Sequence, residues 1–176
     1  MKITLPDNSS RELPQGSSGY DLAKDIGPGL AKSAVAVSVN GVQRDLHDVI
    51  EGDASVSIIT IDSDEGIEIM RHTLTAQVLA RAIKNLYPKS KLAIGPTIDD
   101  GFYYDVESEK SISSDDLSKI EDEMKKIIKT KSSITKKLVS KSEALKVFKE
   151  KKESYKEIIV NAVSYTHLTL PTRTRV

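Results

Sequence analysis

The sequence predicts an α+β fold throughout, organised as two successive units. Three observations predict it. Within residues 1–61, short β-branched runs alternate with turn residues around one short amphipathic helix. A polar joint, Asp62-Ser63-Asp64-Glu65-Gly66, then breaks the pattern. Beyond it, longer stretches at helical spacing alternate with short strand-like runs, and two of them open with a Ser followed three residues later by an acid.

The elements follow in order. Residues 2–5 and 11–13 flank Pro6-Asp7-Asn8-Ser9-Ser10 and read as a hairpin. Leu22 and Ile26 share a helix face in Gly19–Ile26, and Gly27-Pro28-Gly29 reads as the turn that stops this helix. Ala34–Val39, closed by Asn40-Gly41, and Val56–Ile61 read as strands. A hairpin, a helix packed across it and further strands make a compact α+β unit over residues 1–61. After the joint, Ile67, Met70, Leu74, Val78, Ile83 and Leu86 mark the strongest helix, which Tyr87-Pro88 ends. Leu92–Ile94 and Phe102–Val106 read as strands around Gly95-Pro96 and Asp99-Asp100-Gly101. Ser113–Asp116 opens a helix to about Lys129, Ile134–Val139 is a strand, and Ser140–Glu143 opens a Lys-rich helix.

Composition bounds what the chain can be. It has 176 residues, 38% hydrophobic and 30% charged, as expected of a globular protein. Aromatic residues are 5%, with no Trp and two Phe, so each core must be aliphatic. With no Cys there is no disulfide, no thiolate nucleophile and no Cys-based zinc site in these residues. No apolar run approaches the length of a membrane span, and the amino terminus is not a signal peptide. The net charge is zero but unevenly spread. Residues 1–109 carry 10 Lys/Arg against 17 Asp/Glu, whereas residues 110–156 carry 14 Lys against 8 Asp/Glu. A basic second half can meet a phosphate backbone or can simply be two solvated helices.

Ile3-Thr4-Leu5-Pro6-Asp7, Gly27–Lys32 and Val39-Asn40-Gly41 resemble the TGS domain, a β-grasp (ubiquitin-like) module. Leu86-Tyr87-Pro88, Leu92–Pro96 and Gly101–Asp105 are similar to the editing domain that follows TGS in bacterial threonyl-tRNA synthetases, and Glu153-Ser154-Tyr155-Lys156 matches a later stretch of it. The resemblance implies a TGS domain over 1–61 and a truncated α+β editing domain over 64–161. In that family the editing domain hydrolyses seryl-tRNA. A threonine pocket cannot strongly reject serine, because one methyl is worth only about 1–3 kcal/mol, so a second hydrolytic site supplies the discrimination. The implied partner is tRNA, with neither membrane nor DNA, in the cytoplasm. The full-length family is a homodimeric ligase that uses ATP, Mg and Zn. These residues by themselves are expected to need no cofactor, to be monomeric or aggregation-prone, and not to aminoacylate, since the class II core and the later Cys/His motif are not among them.

The resemblance also implies the candidate site. The family has two His four residues apart on the first editing helix; His72 matches the first and Gln77 falls at the second. The spacing is five, which on a regular helix places Gln77 about 140° round from His72 unless the helix bulges. Gln cannot act as a base. Tyr104 and Lys156 match substrate-pocket positions, where a hydroxyl and an ammonium can hold polar and anionic groups. Elsewhere, Asp99 and Asp100 read as turn residues before Gly101, His47 as a surface residue, and Gly27-Pro28-Gly29 as no phosphate loop, since no Lys-Ser/Thr pair opens a helix after it. Residues 162–176 change character and look like a translated sequencing-library adapter, foreign to the domain; their alternating Thr and Leu also permit a strand. Two other functions fit the same residues: an RNA-binding or regulatory module without catalysis, and a free-standing editing hydrolase, against which the missing second His and Cys count.

Overall fold

The computed structural model describes residues 1–164 and the backbone of residues 167–174. The chain divides into two compact units, Met1–Arg71 and His72–Val176.

In the first unit, β1 (Lys2–Thr4) and β2 (Ser10–Glu12) form an antiparallel hairpin that pairs Ile3 with Arg11. Its turn is tied by the Asp7 carboxylate, which accepts from the Ser9 N–H at 2.9 Å and the Ser9 hydroxyl at 2.6 Å. The helix α1 (Gly19–Ile26) starts at Ser18, whose N–H and hydroxyl donate to Asp21 at 2.8 and 2.7 Å, while the hydroxyl oxygen accepts from the Asp21 N–H at 3.3 Å. Reciprocal bonds of this kind satisfy donors that a bare helix end leaves orphaned. Gly27-Pro28-Gly29 does stop α1, but it also starts α2 (Pro28–Ser33). Pro28 occupies the first helical position, where its missing N–H has no partner to lose.

β3 (Ala34–Val39) turns back through Asn40 and Gly41, with φ of 51° and 79°, into β4 (Val42–Asp45). Positive φ at both central residues makes a hairpin turn whose twist suits the flanking strands. The sequence reading contains no β4, because all four residues are exposed and show no alternation. β5 (Ala54–Thr60) lies parallel to β1 and antiparallel to β3, giving a five-stranded sheet in the order β2-β1-β5-β3-β4. With α1 across the sheet, this is a β-grasp fold. Its core is aliphatic as expected: Ile3, Leu22, Val37, Ile50 and Val56 are all but inaccessible.

The polar joint is more than a linker. Thr60 O accepts from the Ser63 N–H and hydroxyl at 3.0 and 2.8 Å, and Ser63 Oγ accepts from the Gly66 N–H at 3.1 Å. These bonds start α3 (Asp64–Thr73), and the division between the units falls inside it.

The second unit begins at the end of α3. Residues Leu74–Leu79 form a π-helical segment, with the Ala80 N–H bonded to Thr75 O five residues back, before α4 (Ala80–Leu86). Four two-residue strands follow: β6 (Lys91–Leu92), β7 (Thr97–Ile98), β8 (Gly101–Phe102) and β9 (Val106–Glu107). β6 pairs with β9 and β7 with β8, the latter across the Asp99-Asp100 turn. Next come α5 (Ser114–Lys129), β10 (Ser133–Ser140), α6 (Lys141–Glu150), α7 (Ser154–Ala162) and β11 (His167–Thr174). The hydroxyl and N–H of Ser113 donate to Asp116, and those of Ser140 to Glu143, as the two capping patterns predict. β11 pairs antiparallel with β10, from Ser133 opposite Thr174 to Ser140 opposite His167. It is the strand that alternating Thr and Leu permit. Tyr165, Thr166, Arg175, Val176 and the His167 side chain lie outside the described residues. The core of this unit is again aliphatic: Val78, Ala82, Ile83, Leu92, Ile120 and Ile127. No helix among the described residues is long and apolar enough to cross a membrane.

Candidate functional site

A cavity of about 1060 Å³ lies in the second unit, between the π segment, α4, β10, α6 and the first turn of α7. Helical spacing puts Gln77, Arg81 and Lys84 on one face of the helix that forms one wall. Leu92 and Tyr104 come from the short-strand region, and Glu153 and Lys156 from the start of α7.

Tyr104 is held by its neighbours. A Cβ on Gly95 would lie 2.6 Å from Tyr104 Cδ2 and 2.6 Å from Thr75 Cγ2, so the bare glycine backbone is what lets the ring pack. Burial pushes the Tyr104 phenol above its ordinary pKa, and the charge of Glu153 adds to this. The phenol therefore stays protonated near neutral pH and can donate or accept a hydrogen bond.

Beside it stands a cluster of charges. Lys84 Nζ is 2.7 Å from Glu153 Oε1 and donates to Ser90 O at 2.7 Å. Glu153 is almost wholly buried, at 4% exposed, and its Oε2 has no hydrogen-bond partner among the described residues. Lys156 stands one turn further along α7, its ammonium 5.9 Å from the centre of the Phe148 ring. Burial pushes the Lys156 pKa down; Glu153 holds it up, and Lys84 and Lys151 lower it further.

The start of α7 is fastened from the other side. The Tyr155 hydroxyl donates to Glu107 Oε2, and Lys91 Nζ lies 2.8 Å from Glu107 Oε1, joining α7 to the β6–β9 ladder. The bonds from Lys91 first and Tyr155 second pull the Glu107 carboxyl below its usual range. At its far end, α7 is met by Lys141 Nζ, which donates to Val163 O at 2.7 Å and Asn161 O at 3.3 Å. A cation there suits the negative end of the helix.

The structure brings together three of the four residues singled out from sequence: Gln77, Tyr104 and Lys156 line the one cavity. His72 does not line it and is exposed. The helix does bulge, since the π segment at Leu74–Leu79 begins just after Thr73, and an i→i+5 turn absorbs an added residue without breaking the helix. Sequence reasoning missed Lys84 and Glu153 as members of the site. Lys84 was open to detection, being seven residues beyond Gln77 on the same helical face. Glu153 was not, because one acid in a run of lysines gives no sign of burial. Asp99 and Asp100 sit in the β7–β8 turn, and His47 lies against the Tyr20 ring, 5.1 Å between centres. Among the described residues no group of three or more His, Cys, Asp or Glu is placed to hold a metal ion.

Chemically, the cavity offers an uncharged amide, a phenol and an ammonium around a buried carboxylate. It can bind a polar, anionic molecule. Neither the amide nor the phenol can take a proton from water near neutral pH. Residues 1–60 match the family model of the TGS domain. The first unit is thus a TGS domain, a module associated with translation in GTPases and tRNA synthetases, and it is compatible with RNA association.

Proposed function

We propose that this chain is the tRNA-facing amino-terminal part of a threonine–tRNA ligase, and that the cavity of its second unit receives the aminoacylated 3′ end of tRNA. The observation that carries this reading is the meeting of Gln77, Tyr104 and Lys156, far apart in sequence, on one cavity. The motif resemblance at 86–105 and 153–156 and the TGS domain that precedes it support the same reading. The cavity's volume is at the upper end for small-molecule sites and suits an aminoacyl-adenosine. Tyr104 and Gln77 hydrogen-bond hydroxyl and amine groups, and the Lys156 ammonium meets a negative or strongly polar one. With Gln at position 77 and His72 outside the cavity, binding proceeds with little hydrolysis. ATP, Mg and Zn belong in this reading to the ligase's aminoacylation machinery, and no step at these residues runs through them.

The test is binding of a non-hydrolysable amide analogue of seryl-adenosine to the whole chain, followed by NMR. The amide signals of residues 77, 104 and 156 should shift together, and Tyr104→Phe and Lys156→Met should each weaken binding about tenfold, the loss of one good hydrogen bond. Saturating analogue that leaves those three signals in place sinks the reading.

The charge distribution favours a second reading, an RNA-binding module that performs no catalysis. Residues 110–156 carry the excess of Lys, and Arg81, Lys137 and Lys146 bring cations to the cavity wall. In that case RNA binds with a steep salt dependence and the analogue does not bind.

A further inference from the structure

We propose that Glu153 is a positioning residue for Lys156: its buried carboxylate, engaged by Lys84 through one oxygen only, offers the other as a resting partner for the Lys156 ammonium and favours its charged form for an anionic ligand. The proposal rests on the cavity reading above only for the use made of Lys156. Its test needs no ligand, so the two can fail separately.

The geometry supplies the argument. A carboxylate taken out of water is costly to hold unless its oxygens are engaged. Here Oε1 is engaged by Lys84 at 2.7 Å, and Oε2 is buried with no partner among the described residues. The next cation on the same helix is Lys156, three residues on, and both side chains line the cavity. Three-residue spacing places them on one side of the first helical turn.

Lysine side chains reach and swing, so Lys156 can move between Oε2 and a ligand in the cavity. Lys84, Lys151 and Lys156 against this one buried anion leave the cluster net positive, so an anionic ligand, such as a phosphodiester or a carboxylate, lowers its charge. Without Glu153, Lys84 and Lys156 would line the cavity with no carboxylate between their charges, and the Lys156 ammonium would give up its proton more readily.

The groups facing Lys156 agree with this. Lys84 on α4 and Lys151 at the end of α6 both disfavour its charge, as does burial. Tyr104 stays protonated and adds no charge. Glu153 alone among these groups favours the charged ammonium.

The experiment is a lysine-side-chain NMR titration of the whole chain, following the Lys156 Cε and Nζ signals from pH 6 to 12. Glu153→Gln keeps the shape and removes the charge. It should bring the Lys156 midpoint down by about one pH unit or more, the lower end of what an adjacent opposite charge does. Glu153→Asp, which restores the charge on a shorter arm, should recover most of the change.

An unchanged midpoint in Glu153→Gln overturns the proposal. So does an equal fall in Glu153→Gln and Glu153→Asp, which would mark packing rather than charge. If circular dichroism shows Glu153→Gln unfolded, Lys84→Met decides: releasing Glu153 from its first partner and removing a like charge should raise the Lys156 midpoint. A midpoint that stays or falls there overturns the assignment.

Discussion

Gly95 backs directly onto the ring of Tyr104: a Cβ at Gly95 would stand 2.6 Å from Tyr104 Cδ2 and 2.8 Å from Cε2. The glycine is required by close approach, since its φ lies outside the left-handed region. Gly95→Ala must therefore move either the ring or Thr75, which is itself fully buried. Overpacking of this kind costs about 1–3 kcal/mol. Urea unfolding should register that loss, and binding at the cavity should weaken further than stability alone explains. A variant as stable as wild type would show that the ring swings aside freely.

Gly66 meets a harder obstacle, since a Cβ there would lie 1.9 Å from the backbone oxygen of Thr60. That oxygen is already held by Ser63. Gly66→Ala should cost about 3 kcal/mol, the upper end of the range for forcing atoms into packed space. Gly52, with nothing within 4 Å of the same added atom, serves as the control. Its change to Ala should stay within about 0.5 kcal/mol in the same denaturation series.

Acid should find Asp116. The Lys119 ammonium at 2.9 Å, then the Ser113 N–H and hydroxyl, hold its carboxyl at about 2 instead of 3.8. A pKa lowered on folding means that the unfolded chain binds the proton more readily. The contribution of Asp116 is thus complete above about pH 5 and is lost as the pH falls through 3.8 and then past about 2. Melting temperatures of Asp116→Asn and wild type should converge over that window. A gap as wide at pH 2 as at about pH 5 would mean that the residue acts through something other than its charge.

RNA binding should depend on the second unit. The TGS domain, residues 1–60, carries 5 Lys/Arg against 8 Asp/Glu. Lys137→Gln with Lys146→Gln should lower the slope of log affinity against log salt by about 2, one for each phosphate no longer neutralised. Lys24→Gln with Lys32→Gln should leave it in place. The reverse result would put the RNA on the TGS domain.

Much of this protein was legible from local chemistry. Ser113 and Ser140 announced helix starts because a hydroxyl and an acid three residues on satisfy each other locally. Asn40-Gly41 announced the end of β3 because both residues tolerate the positive φ of a turn. Those signals lie within a few residues of the structure they cause, and the aliphatic cores follow directly from the scarcity of aromatics.

β4 stayed hidden because exposed edge residues have no burial pattern to display. α7 stayed hidden because its first turn is secured from elsewhere, through Tyr155 on Glu107. The π segment showed in the sequence only as a spacing, five between His72 and Gln77, which a bulge can absorb or a helix start can explain.

The sequence by itself determined the α+β class, the TGS domain and three residues that now share a cavity. Only the tertiary structure decided that His72 stays outside it and that Glu153 is buried against Lys84. Burial and charge pairing depend on what the rest of the chain brings within a few ångströms. Lys84 on α4 and Glu153 at the start of α7 meet across the fold, and no window of sequence contains both.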